Sequence, residues 1–318
     1  MPLLSTAIVD IVTQMGIVVL LSIGFTFTYQ IEGFPNFSHI FFAIIGTTVT
    51  FTMTKLMGYN PYLSLPFSAL LCGVLGMFFY STMVRVIKKR KNGSIALTIA
   101  FYALSIVLET IVGIYSYWIV LTRHETTRGF QLRMFDFQYL GLPGVAYVSS
   151  IGCILLVALL YYALNSTRFG VSLRAVAEDE DLSAIYGINT FHVHLASWFI
   201  VGALAGVAGS LIPLWTSVRS NLSQELLITV MAGSIMGGLD SVYGAVIGGV
   251  LITLFQRGLT YVLMNLEAGG TPLMVNFSLL LRGFEQLIPI IFIFTILMVM
   301  PSGIVDTLRK LKSELVSE

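Results

Sequence analysis

From Ile8 to Met300 the sequence is a succession of apolar runs parted by short polar stretches. That pattern constrains the fold more than any motif, because a helix needs about 20 apolar residues to cross the hydrocarbon core of a bilayer. The runs are continuous rather than alternating, which excludes a transmembrane β-barrel. Only 10% of the 318 residues are charged, against about a quarter in a soluble domain, and the mean hydropathy is +0.89. The expectation is an all-α, polytopic transmembrane helical bundle of about 8–9 spans, one domain over residues 1–318. The net charge of +1 excludes nothing, since in a membrane protein the placement of charge matters more than its sum. Cys72 and Cys153 sit inside apolar segments and read as small packing residues rather than a disulfide or a metal pair.

The first predicted span, Ile8–Tyr29, has no basic flank and reads as a retained span, not a cleaved leader. After it, Gly33, Pro35 and Asn36 interrupt helix while Phe34, Phe37, Phe41 and Phe42 keep the stretch apolar. This stretch either lines a cavity or is an interfacial loop with an aromatic belt. Further spans are predicted over His39–Leu56, Tyr62–Val86, Ser94–Leu121 and Val145–Leu164. Arg85, Lys88, Lys89, Arg90 and Lys91 form the densest basic cluster, which places that loop in the cytoplasm by the positive-inside rule and the N-terminus outside. The loop from Thr122 to Pro143 is then external, although it carries Arg123, Arg128 and Arg133. Glu109 falls near the middle of its span, where a carboxyl either lines a polar route or is a hydrogen-bonded structural group.

A charged insert over 166–190 follows the fifth span. Leu173, Val176 and Ala177 make one apolar stripe, and Leu182, Ile185 and Tyr186 make another. Nine residues separate Leu173 from Leu182, about 900° at roughly 100° per residue, so on one straight helix the stripes would face opposite sides. Two short helices with a break in the acidic run Glu178–Asp181 remove the conflict, with Asp181 capping the second and Gly187 stopping it. Asn189 or Thr190 caps the next span. A helix pair with an acidic corner is expected to dock a partner in the cytoplasm. A helix that merely rests on lipid favours Lys and Arg on its polar face.

The next span, Phe191–Leu211, carries Gly202 and Gly206 in GxxxG spacing, with Ala205 and Gly209 one step along. Two segments, Glu225–Leu239 and Val242–Leu263, then flank Gly237, Gly238, Asp240 and Ser241. The first is short for a span, as expected of the broken helices from which transport routes are built. A last span covers Phe284–Met300, and a polar tail over 301–318 with Arg309, Lys310 and Lys312 is expected to be cytoplasmic.

The run from Arg168 to Leu211 resembles the signature of permease subunits of branched-chain-amino-acid-type ABC importers. That signature reads approximately G-x-x-x-R-A-V-A-x-D-x-x-x-A-x-x-x-G-I-N before an alanine- and glycine-rich span. It is met here by Gly170, Arg174, Ala175, Val176, Ala177, Asp179, Ala184 (one residue late against some members), Gly187, Ile188 and Asn189. Pro35–His39 and the glycine-rich Gly237–Gly249 are similar to two further family stretches. The sequence departs from the pattern at Met300-Pro301-Ser302-Gly303, where the family has arginine-proline-x-glycine, and at Tyr243, where proline is common. It also lacks the glycine that usually follows the family's histidine in the Pro35–His39 stretch.

The resemblance implies a non-enzymatic permease of the inner membrane that carries amino acids, with branched-chain ones the leading choice. It implies two cytoplasmic ATPase subunits, a second permease (identical or not) and an external substrate-binding protein as partners. The coupling element would be Arg174, Ala175, Glu178, Asp179 and Gly187, and candidate path residues are Asn36, His39, Glu109, Gly237, Gly238 and Tyr243. No Gly-x-x-x-x-Gly-Lys-Ser/Thr run is present, so ATP and Mg²⁺ would be bound by the partners and not by this chain. Neither a catalytic residue, a metal site nor nucleic-acid binding is expected. The alternative is a secondary transporter or channel for a small polar solute such as urea or an amide. It predicts several ionisable groups inside spans, where only Glu109 qualifies, and leaves the insert unexplained. An enzyme holding magnesium-diphosphate on Glu178–Asp181 lacks a second, facing acidic cluster.

Overall fold

The computed structural model describes residues 2–90, 93–127, 129–269, 286–300, 303–305 and 307. Lys91, Arg128, the first residues of the last predicted span, Pro301, Ser302 and the tail charges Arg309, Lys310 and Lys312 lie outside them. Among the described residues, eight helices are long and apolar enough to cross a membrane, and a ninth apolar helix, Leu222–Gly237, is shorter. The protein is an all-α polytopic bundle.

The bundle is built on α1 (Pro2–Glu32), a continuous helix that packs chiefly against α6 (Gly144–Ser166), α9 (Thr190–Trp215), α10 (Leu222–Gly237) and α11 (Val242–Gly269). On one side, α9 is sandwiched with α2 (His39–Phe51) and α3 (Ser64–Phe79). Two π-helical turns, Thr52–Leu56 and Tyr80–Val84, extend α2 and α3. The second leads into α4 (Arg85–Lys89). α5 (Ser94–Arg123) and α12 (Leu287–Val299) lie at the periphery and leave broad apolar faces exposed. A hydrophobic segment shows its apolar face to lipid as readily as to protein, so exposed Ile99, Ile106, Ile114 and Phe294 are in keeping with a membrane span.

The small residues of α9 explain the sandwich. A Cβ at Gly202 would lie 2.1 Å from the Cys72 carbonyl oxygen, one at Gly206 2.4 Å from that of Ser68, and one at Gly209 2.0 Å from that of Ala43. Only hydrogen at these positions lets α9 touch the backbones of α2 and α3 at once. In lipid, where no hydrophobic force draws helices together, such contact is what binds them. Ser68 and Thr50 add hydrogen bonds to the carbonyls of Gly206 (3.1 Å) and Ser210 (3.3 Å). The α10–α11 hairpin closes in the same way: a Cβ at Gly237 would meet the Gly244 oxygen at 1.9 Å. Gly303, at φ +80°, rests on Gly238.

At one end of the bundle lie α4 and the insert helices α7 (Arg168–Glu178) and α8 (Glu180–Ile185). At the opposite end a loop between α5 and α6 is folded by a short hairpin of β1 (Gln138–Tyr139) and β2 (Leu142–Pro143). Asp136 holds it, accepting from the Tyr62 hydroxyl (2.5 Å) and the Val145 amide (3.1 Å). Cys72 and Cys153 are buried and unbridged.

Candidate functional site

The insert is two helices, as the stripe argument predicts, and the break falls at Asp179. The cap is a correction, because Asp179, not Asp181, accepts the Leu182 amide at 2.8 Å. An N-cap residue needs extended backbone, and Asp179 has it (φ −152°, ψ 107°), whereas Asp181 is already inside the first turn. Gly187 ends α8 in the left-handed region at φ +84°. Asn189 then caps α9 through the His192 amide at 3.3 Å.

α7 is folded tightly back under α6. A Cβ at Gly170 would lie 1.9 Å from the Leu164 oxygen, and the Arg174 guanidinium donates to that same oxygen at 2.5 Å. Leu173 and Val176 are buried against the spans. The second stripe is turned the other way: Leu182, Ile185 and Tyr186 are 50%, 79% and 80% exposed. Ala175 accepts the Asp179 amide at the end of α7, and Glu178 projects into solvent. Thus the insert is anchored by one face and offers the other.

Sequence reasoning missed what the insert is anchored to. Glu32, at the last turn of α1, is fully buried. His194 Nδ1 and the Trp198 indole N–H of α9 each lie 2.8 Å from its Oε1, and Lys88 Nζ of α4 lies 2.6 Å from its Oε2. Glu180 of α8 joins from outside, 3.4 Å from His194 Nε2 and 3.6 Å from Lys88 Nζ. The His194 ring, and behind it the Lys88 charge, hold the Glu180 carboxyl below its ordinary range. The π-helical turn in the third span stacks Tyr80 on His194, centroids 5.1 Å apart. A buried carboxylate is tolerated only when donors surround it, and here the donors come from two separate elements, α4 and α9. The network therefore ties α8 to the ends of α1, α4 and α9 at once. Glu32 could have been marked in the sequence as a carboxylate closing an apolar run, but nothing in the sequence names its partners.

The path candidates are dispersed. Asn36 and His39 are buried inside the protein, while Gly33 is exposed and Pro35 and Phe37 are half-buried. Asn36 accepts the Ser38 amide and hydroxyl, and His39 Nε2 contacts the Leu21 oxygen at 3.1 Å, in the space left by Gly24. Glu109 stands on the exposed face of α5, on the side that also carries Tyr102 and Ile106. Gly237 and Gly238 form the hairpin turn, and Tyr243 accepts from Asn165 at the foot of α6 (2.5 Å). None of the six lines a polar vestibule of about 880 Å³ at the end opposite the insert. It opens between the start of α1, the end of α9, the start of α10 and the middle of α11.

The sequence of residues 7–299 matches the family described as branched-chain amino acid transport system, permease component. The chain belongs to that family, a class of multi-pass membrane permeases. It is 35% identical over 289 residues to the probable branched-chain amino acid transport permease protein LivH of Methanocaldococcus jannaschii, covering 91% of this chain and 88% of that one. It is 23% identical over 302 residues to the high-affinity branched-chain amino acid transport system permease protein LivH of Salmonella typhimurium, covering 90% of each. The fructose import permease protein FrcC of Rhizobium meliloti matches over a shorter stretch, 29% identical over 135 residues, 40% of this chain and 37% of that one. No solved structure matches the chain.

Proposed function

We propose that this chain is the membrane-spanning subunit of an ATP-driven importer that carries amino acids, branched-chain ones foremost, across the cytoplasmic membrane. The observation that carries the mechanism is the two-faced insert: its inner face is tied through Glu180 to Lys88 of α4 and His194 of α9, and through these to Glu32 of α1, and its outer face presents Leu182, Ile185 and Tyr186. Exposed apolar groups on a short helix away from the spans suit a protein partner, and a cytoplasmic ATPase subunit is the partner this reading requires. Closure of two such ATPases on ATP and Mg²⁺, which they and not this chain would bind, would push α8. Arg174, with its hold on the end of α6, and the network around Glu32 would pass that push to α1 and α9. The glycine-packed α10–α11 hairpin, seated on α1, would then shift as a unit. Lys88 and Lys89 support placing the insert end in the cytoplasm, with the N-terminus outside.

Glu109 supports a second permease subunit. A carboxylate facing acyl chains near mid-bilayer costs about 2.5–3.5 kcal/mol on insertion scales, and a neighbouring subunit over that face of α5 would cover it. An external binding protein would deliver substrate to the vestibule end.

Pull-down of the tagged chain in mild detergent tests the reading. It should recover an ATPase subunit, and Ile185→Glu with Tyr186→Glu should lose it. Replacing Gly187 by valine, strained at φ +84°, should leave ATP hydrolysis running without uptake. An intact chain that moves solute in liposomes without ATP would instead be a channel or a secondary transporter.

A further inference from the structure

The vestibule opposite the insert holds charges of both signs in two different states. On the α1–α11 wall, Asp10 accepts the Trp215 indole N–H at 2.5 Å and lies 3.8 Å from Arg257 Nε. On the α9–α10 wall, Arg219 and Glu225 border the same space, only six positions apart, yet do not pair with each other. Among the described residues Arg219 has no carboxylate within ion-pairing distance, and Glu225 has no cation, only the side-chain amide of Asn221. Val18, Ile212, Leu222 and Leu226 give the cavity an apolar portion beside these charges. At about 880 Å³ the volume lies within the range of small-molecule sites, roughly 300–1,000 Å³.

We infer that this vestibule is a binding station for a zwitterion with an aliphatic side chain, its carboxylate toward Arg219, its ammonium toward Glu225 and its side chain on the Val18–Leu226 surface. A solute with one positive and one negative group satisfies both walls without leaving a charge unmatched. A mono-ion would match one and repel the other. Among the described lining residues the two guanidiniums and two carboxylates balance, which favours neither simple cations nor simple anions over zwitterions. Arg219 is exposed and Glu225 half-buried, which suits a weak station on a route, since a transported solute must leave as readily as it enters. The inference rests on the importer reading for its physiological cargo, but its geometry does not depend on ATP.

The test uses the complete importer complex in proteoliposomes, with Ser217→Cys on the vestibule wall and a membrane-impermeant maleimide. Cys72 and Cys153 are buried, so the new thiol dominates labelling of this chain, which is read on its own band. Leucine should slow labelling at least threefold. Isopentylamine and 4-methylpentanoate, which keep the side chain but lose one charge each, should not. Glu225→Gln, nearly isosteric, and Arg219→Gln, at an exposed position, should each abolish protection by leucine, and either variant alone suffices. Absence of protection by leucine, equal protection by the amine or the acid, or protection that survives both substitutions would overturn the inference. Protection without any ATP-driven uptake would instead sink the importer reading and leave the station standing. ATP-driven uptake without protection would do the reverse.

Discussion

The two ends of the bundle use the same residue types to opposite effect. At the insert end Glu32, Lys88, His194 and Glu180 are drawn into one network, with Glu32 wholly buried and every charge facing a partner. At the other end Asp10, Arg219, Glu225 and Arg257 line an open cavity, and Arg219 and Glu225 do not pair with each other. The difference is one of burial. A carboxylate out of water must be surrounded by donors, or the helices holding it separate. Carboxylates in a water-accessible vestibule can stay unmatched at little cost and remain available to a solute. One end is thus suited to carrying force and the other to receiving cargo.

Removing the buried carboxylate should produce the largest effect. Glu32→Ala strands the Lys88 charge and leaves His194 and Trp198 without their acceptor, and should cost about 3–5 kcal/mol, read as a lower thermal midpoint in detergent. Glu225→Gln at the vestibule should stay within about 0.5 kcal/mol; equal losses at both ends would erase the comparison. Next, Gly202→Val forces a side chain against the Cys72 carbonyl and should cost about 1–3 kcal/mol. It acts on the sandwich, not on either end, so it should lower stability while leaving leucine protection of the vestibule thiol measurable.

A smaller structural effect with a clear functional readout is expected from Glu180→Gln. Glu180 itself is partly exposed, so stability should fall by less than about 1 kcal/mol. ATP hydrolysed per amino acid imported should nevertheless rise severalfold if α8 transmits force through Glu180. An unchanged ratio would mean that the anchoring of α7 carries the force alone. The least of the effects is a pH dependence. The Glu180 carboxyl is held below its ordinary value of about 4.3. Its contribution is therefore complete above that value and fades as pH falls through the lowered one. Acidification to below about pH 4 should loosen the insert, seen as faster proteolysis within 178–190, and Glu180→Gln should abolish the pH dependence.

The comparison also marks what could be read from the chain alone. Spans were legible because lipid demands long apolar runs with internally satisfied backbones, and the second, His39–Leu56, was placed to the residue. The broken insert was legible because two stripes nine residues apart cannot share a face of one helix, and Gly187 as its stop because a left-handed residue is required there. The GxxxG run of α9 announced close packing, although not that it would serve two neighbours together. The capping aspartate was misplaced by two residues, since cap geometry depends on where the chain bends and several acids stood in a row.

What the sequence determined by itself was the set of helices and the polarity of their ends, because both follow from periodicity and composition within one segment. Only the tertiary structure decided which ends meet. Glu32 and His194 are 162 residues apart and Asp10 and Trp215 are 205 apart, and no local pattern records such pairings. Likewise, whether Glu109, Asn36 and His39 face lipid, protein or water is set by how helices turn against their neighbours. That rotation is fixed by the fit of small residues against distant backbones, a property of pairs of helices and not of any single one.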